Sequence, residues 1–522
     1  MTAPSIEYGL LSPILIVFGA AIAGVLVEAM LPWRARYGAQ LALSLTGLVG
    51  AFVALVAVYS GHRSGGGTLA AVGAVTVDGP TLFLQGALLL IATLSVLLIA
   101  ERGIPIESDS RRRGLDAFTA QASTVPGTVA ELVATRAGAA QTEIFPLTMF
   151  SVGGMMLFPA AGDLLTMFIA LEVFSLPLYL MCGLARHRRL GSQEASLKYF
   201  LLGAFSSAIF LYGMAMLYGY TGTLSITGIA SAVQAGGPNT ELALVGSALI
   251  TVGLLFKVSA APFHAWVPDV YQGSPTPITA FMAACTKIAA FGALLRLFYV
   301  ALPNLEIQWE PVLWGVAILT MAIGTITAVT QRDVKRLLGY SAVAHTGFIL
   351  LGVIALNRAG LTGTLFYLAA YGFATVGAFA VVGVVRGPDG VEQTGFDRWA
   401  GLGKRSPLTA TVFALFLLSF AGIPLTSGFV SKFAVFKAAA ESGATPLVVV
   451  GVLASAVAAY FYIRVIVLMF FADSPPDAPA ARPPGAATTV VIAAALLITF
   501  ILGTLPQPVL DLADHAASFL TP

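Results

Sequence analysis

Charge is what this sequence has least of. Lys and Arg number 27 and Asp and Glu 25 among 522 residues, a charged fraction of 10%. Soluble chains keep about a quarter of their residues charged to face water, so a soluble globular protein is excluded. Cysteine is nearly absent too: Cys182 and Cys285 lie far apart in apolar segments. Two such thiols supply neither a CxxC metal site nor an iron–sulfur ligand set, and read as buried free cysteines. No GxxxxGK[ST] loop occurs, which removes nucleotide hydrolysis by that route. The net charge is only +2, and short basic runs such as Arg111-Arg112-Arg113 make no footprint for nucleic acid. A basic leader with a cleavage site is missing as well, so the first apolar run reads as a retained span.

What is present is apolar sequence, 58% of the chain, with a mean hydropathy of +0.90. Charge-free runs long enough to cross a bilayer recur throughout, continuous rather than alternating, so helices and not a membrane barrel are expected. They predict an all-α integral membrane protein with about 14 transmembrane helices. The first seven lie near 10–31, 38–60, 78–101, 143–161, 163–184, 193–221 and 241–266. The other seven lie near 275–303, 309–331, 335–356, 360–386, 406–440, 445–472 and 486–505. Segment 102–142 reads as an extramembrane loop and 473–485 as a linker.

The basic residues orient this array. With the N-terminus outside, the inside loops collect Arg34, Arg36, Arg102, Arg111, Arg112, Arg113, Arg136, Arg186, Arg188, Arg189, Arg332, Lys335, Arg336, Arg386, Arg398, Lys404, Arg405 and Arg482. Only Arg63, Arg358 and Lys437 fall outside, a decisive positive-inside bias that also places the C-terminus outside.

Six basic residues remain within spans: Lys198, Lys257, Lys287, Arg296, Lys432 and Arg464. Glu172 joins them near the middle of a span, whereas Glu28 lies nearer a helix end. A charge at mid-membrane opposes insertion by about 2.5–3.5 kcal/mol, and such residues usually mark ion pathways. Glu172, Lys257, Lys287 and Lys432 are therefore the central candidates. Arg296 and Arg464 lie nearer helix ends, where a structural pair or a snorkelling side chain serves as well. Lys198 has Glu194 one turn before it, the spacing of an ordinary salt bridge. His264 and His345 read either as hydrogen-bonded core histidines or as proton relays, imidazole being the side chain that titrates near neutrality.

Two lysines lie beside helix breaks, Lys257 in LLFKVSAAPFHAW and Lys432 in FAGIPLTSGFVSKF. Proline frees a backbone carbonyl, tolerable in a membrane only against protein or water. The five-helix spacing of the two breaks suggests a repeat, 143–303 and 309–472, each copy with a broken helix. An odd number of helices per copy makes the two inverted, a transporter arrangement. Residues 1–142 then form an N-terminal three-helix unit with its loop, and 473–522 a linker with the last span.

The run LFKVSAAPFHAWVPDVYQGSPTPITAFMAACTK (255–287) resembles the antiporter-like membrane subunits of respiratory complex I, and TQRDVKRLLGYSAVAHTGF (330–348) carries their second signature. The same family includes subunits of multisubunit cation/proton antiporters, the alternative function. Lys432 fits those complex I subunits with lysine rather than glutamate in the broken twelfth helix, and 506–522 is too short for the long lateral helix one of them carries. The resemblance implies that Glu172 and Lys257 form a carboxylate–lysine couple. It further implies that Lys198 and Lys287 connect the path, that Lys432 serves the second half-channel, and that His345 lies on the central axis. It implies proton transport driven by NADH-to-quinone electron transfer elsewhere. FMN, iron–sulfur clusters and quinone would reside in other subunits, with no cofactor in this chain. The expected partners are the other membrane-arm subunits and the lipid bilayer of a cell (inner or plasma) membrane, both termini facing the periplasm. No nucleic acid and no small substrate other than protons is expected. Sodium is disfavoured because it needs oxygen ligands, whereas the buried row is mostly lysine, which has no acceptor when charged.

Overall fold

A computed structural model describes residues 6–61, 67–102, 117–125, 128–130, 133–134, 141–187, 189–387, 390–475 and 478–520. Arg63, Arg111, Arg112, Arg113, Arg136 and Arg188, with much of the expected 102–142 loop, lie outside these residues. The principal helices are α1 (Tyr8–Met30), α2 (Trp33–Gly61), α3 (Gly79–Ile99), α4 (Ile144–Leu157), α5 (Leu164–Cys182) and α6 (Arg189–Thr221). They continue as α7 (Thr240–Val258), α8 (Trp266–Gly273), α9 (Thr276–Ala301), α10 (Pro303–Thr330), α11 (Val334–Ile354) and α12 (Arg358–Val384). The last five are α13 (Pro407–Ala421), α14 (Ser427–Glu441), α15 (Thr445–Phe471), α16 (Ala486–Thr504) and α17 (Gln507–Ala516).

Among the described residues, 12 of these helices are long and apolar enough to cross a membrane. The other two predicted spans differ in kind. Helix α4 has 14 residues, about 21 Å of helix. The 406–440 segment is two half-helices, α13 and α14, separated by residues 422–426. The span predicted over 241–266 also departs from expectation. It stops at Val258, and the chain runs non-helically to Trp266 before α8 resumes.

Burial sorts the helices into a centre and a surround. The spans α9 and α12 are buried along their whole apolar length and α11 almost so, while α2, α15 and α16 bury a third or less. The centre is thus the part that carries Lys287, His345 and their neighbours. The helices start where short polar side chains supply caps: Asp163 accepts from Thr166 N at 2.7 Å, Asp333 from Arg336 N at 3.0 Å and Asn357 from Gly360 N at 2.7 Å. Two small antiparallel pairs tie the ends, Thr68–Ala70 with Val75–Val77 and Val385–Arg386 with Ala480–Ala481. Glu101, just past α3, accepts from the Gly485 and Thr488 amides at the start of α16.

Both interruptions supply partners to backbone groups that they free, as a membrane interior favours. At the first, Trp266 Nε1 donates to Phe256 O at 3.1 Å and Ala261 N donates to Thr320 Oγ1 at 2.9 Å. At the second, Gly428 N donates to Ser419 Oγ at 3.2 Å. Each break also contains a non-glycine residue in the left-handed region, Ser259 at φ 71° and Leu425 at φ 70°.

Arg296 takes the structural role that the sequence left open. Its guanidinium meets the Asp78 carboxylate at 2.9 and 3.0 Å, donates to Thr81 Oγ1 at 2.7 Å, and binds Pro159 O through Nε at 2.7 Å. Both partners are fully buried, so α9 is bolted to the start of α3. Arg464 likewise anchors α15 to α10, donating to Val329 O at 2.6 Å.

Candidate functional site

Lys257, the penultimate residue of α7, is 2% exposed. Its Nζ donates to Ser175 Oγ at 2.8 Å and reaches Tyr179 Oη at 3.3 Å, both on α5. The rings of Phe174, Tyr179, Tyr199 and Phe256 stand 5.3–5.8 Å from the ammonium, an aromatic cage that stabilises a cation without neutralising it. Glu172 lies on the same helix as Ser175 and Tyr179. No ion pair joins it to Lys257, and Glu172 Oε1 is buried without a hydrogen-bond partner.

Lys287 follows directly on the π-helical turn Met282–Thr286 of α9, a local widening common at functional sites. Its Nζ donates to Ala342 O at 2.7 Å and Thr346 Oγ1 at 2.6 Å, and approaches Val258 O at 3.5 Å. Thus the carbonyl end of the interrupted α7 contacts the next lysine in the row. Ala342 and Thr346 flank His345, and the Tyr371 ring lies 5.5 Å from Lys287 Nζ and 4.9 Å from the His345 ring.

His345 is 2% exposed and bonded at both nitrogens, Nδ1 to Tyr367 Oη at 2.7 Å and Nε2 to Tyr462 Oη at 3.3 Å. On its other side Phe348 separates it from Lys432, whose Nζ is 4.8 Å from that ring. Lys432 donates to Ala421 O, the last carbonyl of α13, and to Ser455 Oγ, both at 2.9 Å. The lysines of the two interruptions therefore lie at or against half-helix carboxyl ends, where freed carbonyls and the helix dipole favour a cation.

The candidates so placed form one buried row, Lys257, Lys287, His345 and Lys432, with Glu172 beside its first member. Residues 161–458 match the family described as NADH:quinone oxidoreductase/Mrp antiporter, transmembrane. The NADH-quinone oxidoreductase subunit N of Rhodococcus opacus (strain B4) is 63% identical over 529 aligned residues, 99% of this chain and 97% of that protein. The chain belongs to the NADH-quinone oxidoreductase subunit N family. A chain of respiratory complex I from Thermus thermophilus with bound aureothin is similar at 32% identity with a TM-score of 0.75, covering 96% of this chain and 99% of that one. A chain of the Mrp complex from Dietzia sp. DQ12-45-1b reaches a TM-score of 0.81 at 22% identity over 98% and 97%, a likeness of fold alone.

Not every residue proposed from the sequence joins the row of this subunit N family member. Lys198 lies apart, with its side chain 42% exposed. It pairs at 2.7 Å with both Glu194 and Asp269, and Asp269 also holds Arg336 at 2.6 Å. His264 sits half-buried in the first interruption, its Nδ1 without a hydrogen-bond partner. The structure adds hydroxyls that the sequence reading passed over: Ser175, Tyr179, Thr346, Tyr367, Tyr462 and Ser455. A tyrosine or serine in an apolar run carries no charge penalty to betray it, and only the packing brings these six against the row.

Proposed function

We propose that the chain is a proton-translocating membrane-arm subunit of NADH-quinone oxidoreductase. It couples NADH-to-quinone electron transfer in other subunits to proton movement along Glu172, Lys257, Lys287, His345 and Lys432, with Lys198 connecting at the edge. The observation that carries this reading is the surroundings of the three buried lysines. Lys257, Lys287 and Lys432 reach only hydroxyl and carbonyl oxygens, and none of them makes an ion pair among the described residues. A structural cation buried in apolar surroundings needs an anion against it. A group that gains and loses a proton is better served by neutral oxygens: a hydroxyl accepts from the ammonium and can donate to the neutral amine, and a carbonyl accepts an N–H from either form.

In this reading the conformational variable is the distance from Glu172 to Lys257. An approaching carboxylate stabilises the ammonium, and a retreating one leaves only hydroxyls and ring faces to offset its desolvation, which shifts the balance toward the neutral amine. Release at one lysine then lowers repulsion at the next, and water bridges the gaps at Tyr371 and Phe348. Residues 143–303 and 309–472 act as two inverted five-helix repeats, flanked by the 1–142 unit and the 473–522 segment. NADH, FMN, iron–sulfur clusters and quinone belong to other subunits of an inner or plasma membrane assembly, both of this chain's termini lying outside. Within the described residues no group of three His, Cys, Asp or Glu could hold a metal ion.

Lys257 supplies the test. Lys257→Met keeps length and apolar bulk and removes the titratable group. The expected result in proteoliposomes is an assembled complex with strongly reduced proton pumping. Lys257→Arg should fail as well, because guanidinium keeps its proton. Parent-rate pumping by Lys257→Arg would overturn the relay role.

A further inference from the structure

A small cavity of about 50 Å³ opens at the Arg-rich end of the bundle, lined by His187, Ser274, Thr276, Lys335, Arg386 and Glu392 among others. That volume holds a small cluster of waters. The positive-inside reading treats Lys335 as an ordinary loop lysine. The structure instead buries it in the first turn of α11, 3% exposed, at the floor of this cavity. Lys335 Nζ donates to Ser274 O at 2.8 Å and Thr276 Oγ1 at 3.1 Å, and stands 3.6 Å from Glu392 Oε1. Thr276 Oγ1 in turn donates to Glu392 Oε2 at 2.5 Å. Ser274 closes α8, the second half of the interrupted first helix, so its carbonyl repeats the half-helix end found at Lys432. Its own hydroxyl is buried against the Cys182 thiol, and Ser274 borders the cavity. Cys182 lies one turn along α5 from Tyr179, which touches Lys257.

A buried hydroxyl, a lysine and a carboxylate around water-sized space are more than a loop needs for anchorage. We infer that this cavity is the hydrated mouth through which protons pass between the Arg-rich side and the buried row, with Lys335 and Glu392 as its proton-exchanging pair. A proton arriving from water on Glu392 neutralises the carboxylate and removes its negative charge from beside Lys335. Lys335 then gives its proton to a cavity water on the Ser274 side and regains one when Glu392 ionises. Among the described residues, His187, Arg386 and the Cys182 thiol are further ionisable groups near the pair.

The inference rests on the proton-transport reading, and the test separates the two. The intact complex carrying Lys335→Met, Lys335→Arg, Glu392→Gln or Lys257→Met is reconstituted, and pumping per assembled complex is measured beside NADH–quinone electron transfer. Lys335→Met and Glu392→Gln should lower pumping by about tenfold or more, the scale of a lost proton-transfer group. Lys335→Arg should fail equally, although it keeps the charge and can still donate to Ser274 O. Should Lys335→Met assemble poorly, the near-isosteric Glu392→Gln decides. Parent-rate pumping by Lys335→Arg or Glu392→Gln overturns the inference and leaves a structural ion pair. If Lys257→Met also pumps at the parent rate, the relay reading itself falls.

Discussion

A lysine head group in a membrane interior depends on the few atoms that touch it, and at Lys432 one of those neighbours is a missing atom. Gly422 ends α13 at φ +83°, and a Cβ built there would lie 3.0 Å from Lys432 Cδ and 3.3 Å from its Nζ. Gly422→Ala therefore incurs the left-handed penalty of about 1–2 kcal/mol and also pushes Lys432 off the Ala421 carbonyl. The expected outcome is a lower thermal stability of the purified complex together with reduced pumping per assembled complex; unchanged values of both would show that Lys432 tolerates displacement. This residue-scale detail also marks how far the sequence could be read. Lys257, Lys287 and Lys432 were legible because an ionisable group in an apolar run is costly and conspicuous. Tyr179, Tyr371 and Ser455 were not, since nothing in an apolar helix distinguishes a hydroxyl facing the row from one facing a neighbour. Lys335 was hidden for the opposite reason: its place next to Arg332 and Arg336 made it look solvated.

The same contrast holds for whole elements. Pro262 and Pro424 announced both interruptions, but the first was expected within a span reaching 266, whereas α7 ends at Val258. The early stop depends on long-range partners, Trp266 reaching back to Phe256 O and Thr320 accepting from Ala261 N, which local sequence does not reveal. Arg296 shows how an element is fixed by a charge that does not move protons. Asp78 is its only carboxylate partner among the described residues, and Asp78 also caps α3 through Thr81 N at 3.2 Å. Asp78→Ala strands a buried guanidinium, a loss of about 3–5 kcal/mol. The assembled amount, measured on native gels, should drop sharply while pumping per assembled complex stays at the parent level. A defect confined to pumping, with assembly intact, would move Arg296 from the structural group to the relay.

For the molecule as a whole, both chain ends converge on one end of the helix array. Ala71 N donates to Glu7 Oε2 at 3.1 Å, and Leu520 N donates to Asp78 Oδ2 at 3.2 Å, where α3 begins. The Arg-rich end lies where α3 finishes, with Glu101 against Gly485 and Thr488 and with Arg386 paired to Ala480. The 21 residues of α3 separate these two groups by about 31 Å, the thickness of a hydrocarbon layer. An odd number of crossings would have put the two termini at opposite ends of α3. Arg186, Arg332, Arg386 and Arg398 belong to its far end, which the positive-inside rule predicts to face the cytoplasm. Reporters fused after residues 110 and 400 should therefore read cytoplasmic, and one fused after 522 periplasmic. Alkaline phosphatase and green fluorescent protein fusions measure the two sides independently. A cytoplasmic signal from the 522 fusion would break the pairing of the termini and remove one crossing from the 14 expected, whereas periplasmic signals from the 110 and 400 fusions would reverse which side the Lys335 cavity faces.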